Sequence, residues 1–406
     1  AYVWLTHDQA MLEAFRPLIK PAFSWPPTEI PLGVGEKLAE AMLHALTTPG
    51  VAKADPPDSA LMQKIMSVCV GEDVDAECLD MVYDQCGFSP WIDRSARPSR
   101  KQPPRGFKVL VIGAGLTGMA ASMKLSEAGY DHIVIEKNAD VGGTWFENRY
   151  PGVGVDTPSH FYSFSWEIWT NWTHYHPKGA DMQRYLLEVA DKYDIRRNVR
   201  FNTRVQSLVY DEETALWTVT VQHSNGETEE LTANAVINGH GPVNRFKWPD
   251  IEGLKSFNGP VVHTATWPED LSLKGKRVAV IGTAASAAQV VGAIAAETSA
   301  LTVYQRTKHW VIHNPEIAHE VSEGMKWALA HIPSFKEWFR FRVYWANGDG
   351  LFSNVLRDPA WDGNDLAVSE SNDGARLWAL GILQEKFADR PDLIDKLTPD
   401  FPIFSK

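Results

Sequence analysis

The sequence predicts an α/β protein with two doubly wound units and an α-helical extension in front of them. Three observations predict it. Two separate strand–glycine turn–helix–strand patterns occur, one opening at Phe107 and one at Arg277. A Pro-rich basic stretch, 94–106, separates them from what precedes. Residues 1–93 carry apolar side chains at three- and four-residue steps. With 406 residues, 44% of them hydrophobic and 22% charged, the chain can fill two or three cores and is neither fibrous nor disordered.

The elements follow in order. Gly35–Leu46 and Ala60–Cys69 read as helices, punctuated by Pro49-Gly50 and Pro56-Pro57. Their apolar faces need cover, from the unit that follows or from a second copy of the chain, so a homodimer through this extension is one expectation. After the linker, Phe107–Ile112 is a β-branched run ending in Gly, followed by a helical pattern over Leu116–Ala128 and a second apolar run, His132–Ile135. Residues 198–238 alternate as strands, with a hairpin at Asn225-Gly226. Arg277–Ile281, a helix from about Ala285 and Leu301–Tyr304 repeat the opening pattern, and 321–396 is mostly helical and rich in Trp and Phe. The domain spans so drawn are 1–93, the linker 94–106, then 107–250 and 251–406, the last with a helical insertion.

Composition excludes several functions. The balance of 51 acidic against 39 basic residues, a formal charge of −12, argues against a general nucleic-acid binder. No apolar run is long enough to span a membrane, and the first residues lack the features of a secretory signal. The three cysteines, Cys69, Cys78 and Cys86, are too sparse for a disulfide framework, so reduced thiols and a cytoplasmic location are expected. The sixteen tryptophans point more to core packing than to a binding pocket.

Two motifs carry chemistry. In Gly113-Ala-Gly115-Leu-Thr-Gly118, Gly113 allows the tight turn, Gly115 lets backbone approach a pyrophosphate, and Gly118 lets helix and strand pack closely. The helix N-terminus favours the anion, and Glu136, closing the next strand, accepts ribose hydroxyls. Gly282-Thr-Ala284-Ala-Ser-Ala287 stands in the same setting with two glycines replaced. Ala287 suits the packing position, whereas the Ala284 methyl points where a pyrophosphate approaches. The second strand of this unit ends in Gln305-Arg306-Thr307-Lys308 with no acid, which suits the 2′-phosphate of NADPH better than the 2′-hydroxyl of NAD. Two Rossmann-like dinucleotide-binding domains in one chain imply electrons passing from NADPH to a flavin. No metal is expected.

Two further stretches lie beside these units. Gly142-Gly143-Thr144-Trp145, Tyr150-Pro151-Gly152 and Asp156 follow the first unit; Phe257, Gly259, His263, Trp267 and Pro268 lie in the link to the second. From the residues alone, Asp156 reads as a surface carboxylate and His263 as a structural histidine. The stretch 257–268 matches FxGxxxHxxxWP, and 142–156 matches GGxWxxxxYPGxxxD, so the chain resembles the Baeyer–Villiger monooxygenases over about 105–406. The extension and the tail around Phe387–Leu393 are similar to the branch of 4-hydroxyacetophenone monooxygenase. The resemblance implies bound FAD, reduction by NADPH, and a C4a-peroxyflavin formed with O₂ that attacks a ketone, with an aryl ketone as the implied class, to give an ester or lactone. It also implies that Glu136, Gly143, Thr144, Trp145, Phe146, Glu147, Tyr162 and Val205 line FAD, with Asp156 beside the flavin orienting an active-site Arg. Thr283, Ala284, Ala285, Ser286, Ala287, Ala288 and Gln289 would hold the nicotinamide dinucleotide, with Arg306, Thr307 and Lys406 at its 2′-phosphate. His263 and Trp267 would tie the link to the second domain. In the family the catalytic Arg directly follows the Lys matched by Lys406, and the FAD domain resumes after the second unit; both are expected beyond this sequence.

Other readings stay open at this point. A flavin N- or S-oxygenating monooxygenase usually ends the linker motif in Tyr or Phe, against Trp267-Pro268 here. A flavin disulfide reductase needs two redox cysteines near the flavin, whereas all three precede the linker. A non-catalytic flavoprotein is the third.

Overall fold

A computed structural model describes residues 1–21, 30–52, 55–88, 102–312 and 315–405. Linker positions 94–101 and Lys406 lie outside the described residues. The chain packs into two compact units, one of 1–96, 156–176 and 305–406, the other of 97–155 and 177–304. Packing thus groups the chain differently from the contiguous spans read in the sequence, because 156–176 and the C-terminal quarter join the N-terminal helices.

The second unit holds the sheets. A parallel sheet runs in the order β3 (Val199–Arg200), β2 (Asp131–Ile135), β1 (Lys108–Ile112), β7 (Ala235–Asn238). Val111 pairs with Val134 on one side and Ile237 on the other. Val109, Leu110 and Val111 are all buried, as a central parallel strand covered on both faces requires. Helix α6 (Leu116–Glu127) connects β1 to β2, as expected. An antiparallel sheet of β4 (Thr203–Asp211), β5 (Leu216–His223) and β6 (Thr228–Ala233) packs Val219 and Val221 against Leu110 and Ile135. Its β5–β6 turn is the expected hairpin, with Gly226 at φ +89°. β8 (Arg277–Ile281), α9 (Ala285–Ile294) and β9 (Ala300–Tyr304) form the second strand–helix–strand pattern. The sequence reading assigned no element to α8 (Gly179–Lys192), yet Met182, Tyr185, Leu186, Val189 and Ala190 are buried at the spacing of one helix face.

The first unit is helical. α1 (Tyr2–Thr6), α2 (Gln9–Phe15), α4 (Ser59–Val70) and α5 (Leu79–Gln85) share one core with α11 (Phe335–Asn347), where Trp4, Met66, Val82 and Phe88 meet Trp338, Phe341 and Trp345. The Phe88 and Trp338 rings stand 4.8 Å apart. The extension finds cover within the chain, on an aromatic stripe of α11 that repeats at three- and four-residue steps. Arg340, on the same helix, is buried and donates to the carbonyls of Gln85, His160, Phe161 and Ser163, fixing the 156–176 segment to the helices.

Candidate functional site

The first glycine loop is shaped by backbone contacts that only glycine allows. Gly113 has φ +89°, and a Cβ there would lie 2.8 Å from the Gly239 carbonyl oxygen. A Cβ on Gly143 would lie 2.9 Å from Gly115 Cα, so the two loops touch backbone to backbone. Gly118 lies under the Gly113 carbonyl and leaves no room for a methyl. Gly115 caps α6 without a side-chain bond, leaving the first-turn N–H groups open to an anion. By contrast α2, α4, α10 (Glu323–His331) and α13 (Glu370–Lys386) are capped by Asp8, Asp58, Ser322 and Ser369.

Glu136 is buried at the end of β2. Its Oε2 accepts the Ala114 N–H at 2.6 Å and its Oε1 the Asn138 N–H at 2.8 Å. The carboxylate therefore clamps the glycine loop and keeps acceptor capacity for a ribose. Helix α7 (Thr144–Glu147) carries Thr144, Trp145, Phe146 and Glu147. The Glu147 carboxylate is held by Lys137 at 2.6 Å and Asn138 at 2.9 Å, contacts that the motif reading missed. Gln183 was also missed. Its Nε2 donates to the Val141 carbonyl at 2.9 Å and its amide packs on Gly142, while its buried Oε1 has no partner among the described residues.

The second loop is more open. Gly282 has φ +114°, and a Cβ there meets nothing within 4 Å. Ala284 caps α9 without a side-chain bond, so this N-terminus is also open to an anion. Ala284, Ala285 and Ala288 are exposed; Thr283, Ser286 and Ala287 are half-buried. Two residues expected to hold a dinucleotide have protein partners. The Tyr150 hydroxyl donates to Gln289 Oε1 at 2.8 Å and lies 3.3 Å from Ser286 Oγ, and Gln289 Nε2 donates to the Gly154 carbonyl at 2.9 Å.

In the segment that joins β7 to β8, the His263 ring stacks on Phe246 at 4.6 Å and meets the Trp248 ring edge-on at 5.6 Å. Its Nδ1 accepts the Ala265 N–H at 3.1 Å, and burial pushes its pKa down, which favours the neutral ring. Trp267 packs against the core of Tyr150, Val290 and Ile294. Phe257 and Pro268 are exposed, and Gly259 lies against the Phe257 ring. A cleft of about 870 Å³ collects both signature stretches, with Trp145, Arg149, Tyr150, His263, Trp267 and Ser286 among its walls. Arg149 pairs with Glu269 across it and lies 5.2 Å from the centre of the Phe146 ring.

The remaining expected residues lie elsewhere. Val205, on β4, packs against the core of Leu110 and Ile135. Asp156 is exposed and forms no salt bridge among the described residues; Tyr162 is half-buried. Arg306, exposed, and Thr307, half-buried, follow the end of β9, while Lys308 Nζ donates to the Asp395 carbonyl at 2.7 Å. Asp156, Tyr162, Arg306 and Thr307 belong to the helical unit. Among the described residues no three His, Cys, Asp or Glu side chains stand together to hold a metal, and no helix is long and apolar enough to cross a membrane.

Residues 110–336 match the family model described as pyridine nucleotide-disulphide oxidoreductase. The chain is 36% identical to an uncharacterized monooxygenase of Sinorhizobium fredii, covering 88% of this chain and 53% of that protein. It is 35% identical to a Baeyer–Villiger monooxygenase of Pseudomonas aeruginosa, over 77% of this chain and 57% of that one. Among solved structures, cyclohexanone monooxygenase from Rhodococcus bound to NADP⁺ aligns with a TM-score of 0.59 at 30% identity, over 74% of this chain and 60% of that one. The OTEMO complex with FAD and NADP aligns with a TM-score of 0.61 at 28% identity, over 75% and 62%. The chain spans about half the length of the relatives it matches.

Proposed function

This chain belongs to the pyridine nucleotide-disulphide oxidoreductase family, and we propose that it is the greater part of the nucleotide-binding machinery of a Baeyer–Villiger monooxygenase. The observation that carries the reading is a cleft whose walls include Thr144, Trp145, Tyr150, His263 and Trp267, from the GGxW, YPG and HxxxWP stretches. The residues of the first glycine loop and those that pack on it suit FAD. Gly113, Gly115 and Gly143 permit backbone approach to a pyrophosphate, the open α6 N-terminus offers N–H donors, and buried Glu136 has acceptor capacity left for a ribose. The open α9 N-terminus and the uncrowded Gly282 turn suit a second dinucleotide, with the exposed Ala284 methyl bordering the entrance. Arg306 and Thr307 are placed after β9, where a 2′-phosphate would favour NADPH.

FAD, when bound, supplies hydride acceptance and activation of O₂. The chain's own residues bind and orient. Glu136 fixes the loop that receives the pyrophosphate, and Trp145 and Phe146 wall the cleft. Neutral His263, held by Phe246 and Trp248, sets the path of the link and moves no proton. Asp156 is proposed as the anion that orients an active-site Arg, a cation that would offset negative charge developing on the ketone oxygen. The substrate class proposed is an aryl ketone.

Dithiol chemistry is disfavoured by the thiols themselves. Burial pushes Cys86 up to about 12 and raises Cys69, so neither offers a thiolate. The test of the reading is anaerobic: full-length protein should carry yellow flavin that bleaches with NADPH. Colourless protein after reconstitution with FAD, or flavin that NADPH does not reduce, would overturn it.

A further inference from the structure

We propose that Tyr150 is a positioning residue that locks the first turn of α9 to the flavin-side loop, and so sets the distance over which NADPH delivers its hydride. The inference rests on the function proposed above. Tyr150 is 7% exposed, and its hydroxyl reaches only α9 residues of the first turns, Ser286 and Gln289. Gln289 uses both ends of its amide on the same short segment: Oε1 accepts from Tyr150 and Nε2 donates to the Gly154 carbonyl. Between these two bonds the chain turns at Gly152, φ +82°, where a Cβ would lie 2.5 Å from the Gln289 carbonyl oxygen and 3.1 Å from Ala293 Cβ. The Tyr150 ring then packs with Val290 and Ile294 in one core.

The 150–154 turn thus grips α9 by two hydrogen bonds, a close backbone contact and an apolar patch. The helix so gripped is one whose N-terminal N–H groups are open to a dinucleotide. On the other side the same turn continues back through Arg149 to α7, whose Trp145 and Phe146 line the cleft. A buried hydroxyl paired with an amide has a fixed direction, which apolar packing alone does not provide. Hydride transfer is sensitive to such placement.

The experiment uses flavin-loaded full-length protein and two variants, Tyr150→Phe and Gln289→Met, which remove the bond from either side. Flavin content, the flavin absorbance change on adding NADP⁺, and the anaerobic reduction rate at saturating NADPH are compared. Reoxidation of dithionite-reduced flavin by air is the control. The expected result is retained flavin, an altered NADP⁺-induced absorbance change, a reduction rate lower by at least about tenfold, and unchanged reoxidation. The two changes combined should cost no more than the larger of the two single losses, since Gln289→Met also removes the bond to Gly154. Wild-type reduction and absorbance change in either variant would overturn the proposal, as would additive losses. Wild-type protein that NADPH fails to reduce would overturn the functional reading first, and this one with it.

Discussion

Gly118→Ala probes the first dinucleotide loop at its tightest point. A Cβ at this position would lie 2.8 Å from the Gly113 carbonyl carbon, closer still to its oxygen, and 3.6 Å from Val111 Cγ1. Carbon–carbon contact is optimal at about 3.5–4.0 Å, so the methyl overlaps the carbonyl by roughly 1 Å. The obstacle is backbone in a loop clamped by Glu136, so it cannot rotate aside. The start of α6 must move away from the loop, at a cost of about 3 kcal/mol, the upper end for overpacking. If half or more of that falls on the FAD-binding conformation, affinity drops by about tenfold to a hundredfold. Flavin-to-protein ratio after gel filtration over a series of FAD concentrations reads this directly. Ala287→Gly, the corresponding position of the second loop, is the control; it should cost only about 0.5–1 kcal/mol of helix stability and leave flavin content unchanged. Gly118→Ala protein with wild-type flavin content would refute the reasoning.

Four further outcomes are expected. Burial, then the neighbouring Arg340 cation, pushes His160 down to about 3, and neither ring nitrogen has a hydrogen-bond partner among the described residues. Its folded pKa lies below the unfolded 6.5, so the unfolded chain takes the proton first. Stability present above the unfolded value is therefore lost as pH falls toward the folded one, by about 1.4 kcal/mol per pH unit, and His160→Phe should flatten that fall in denaturant titrations. Arg340→Met removes the guanidinium donor shared by four carbonyls, of which those of His160 and Phe161 keep a bond from Ser163, and should cost about 3–5 kcal/mol in urea unfolding; a loss under about 1 kcal/mol would contradict the fixing role given to it. Arg306→Ala should lower the preference for NADPH over NADH by about 1–3 kcal/mol in kcat/KM, and equal wild-type use of both coenzymes would contradict the site assigned to the 2′-phosphate. Asp156→Asn in the full-length protein should keep its flavin but lose at least about tenfold in ester formation while NADPH oxidation continues and hydrogen peroxide accumulates; unchanged coupling would make the carboxylate structural.

Much of the fold was legible because its signals are local. The runs at β1 and β8 end in glycine and lead into helices, and the structure returns both patterns within a residue or so of the expected bounds. Asn225-Gly226 marks a turn by its own chemistry. Partners across long separations were not legible. The apolar steps of α4 announce a buried face but do not say that Trp338, Phe341 and Trp345 cover it. Nothing in 156–176 says that it joins the helical unit, since its anchor is Arg340, far along the chain. At the site, glycine conformations follow from backbone sterics and are legible, whereas the protein partners of side chains are not. Gln289 and Ser286 stand in the loop motif and look like ligand contacts, yet Tyr150 engages both. Lys308 looks like a phosphate ligand beside Arg306, yet its ammonium is bonded to the Asp395 carbonyl.

The most direct test of the central claim is product analysis of full-length, flavin-loaded protein supplied with NADPH, an aryl ketone and isotopically heavy dioxygen. The account predicts an ester carrying one heavy oxygen atom, formed in step with NADPH oxidation. NADPH oxidised with no ester, or an ester whose added oxygen comes from water, would contradict it.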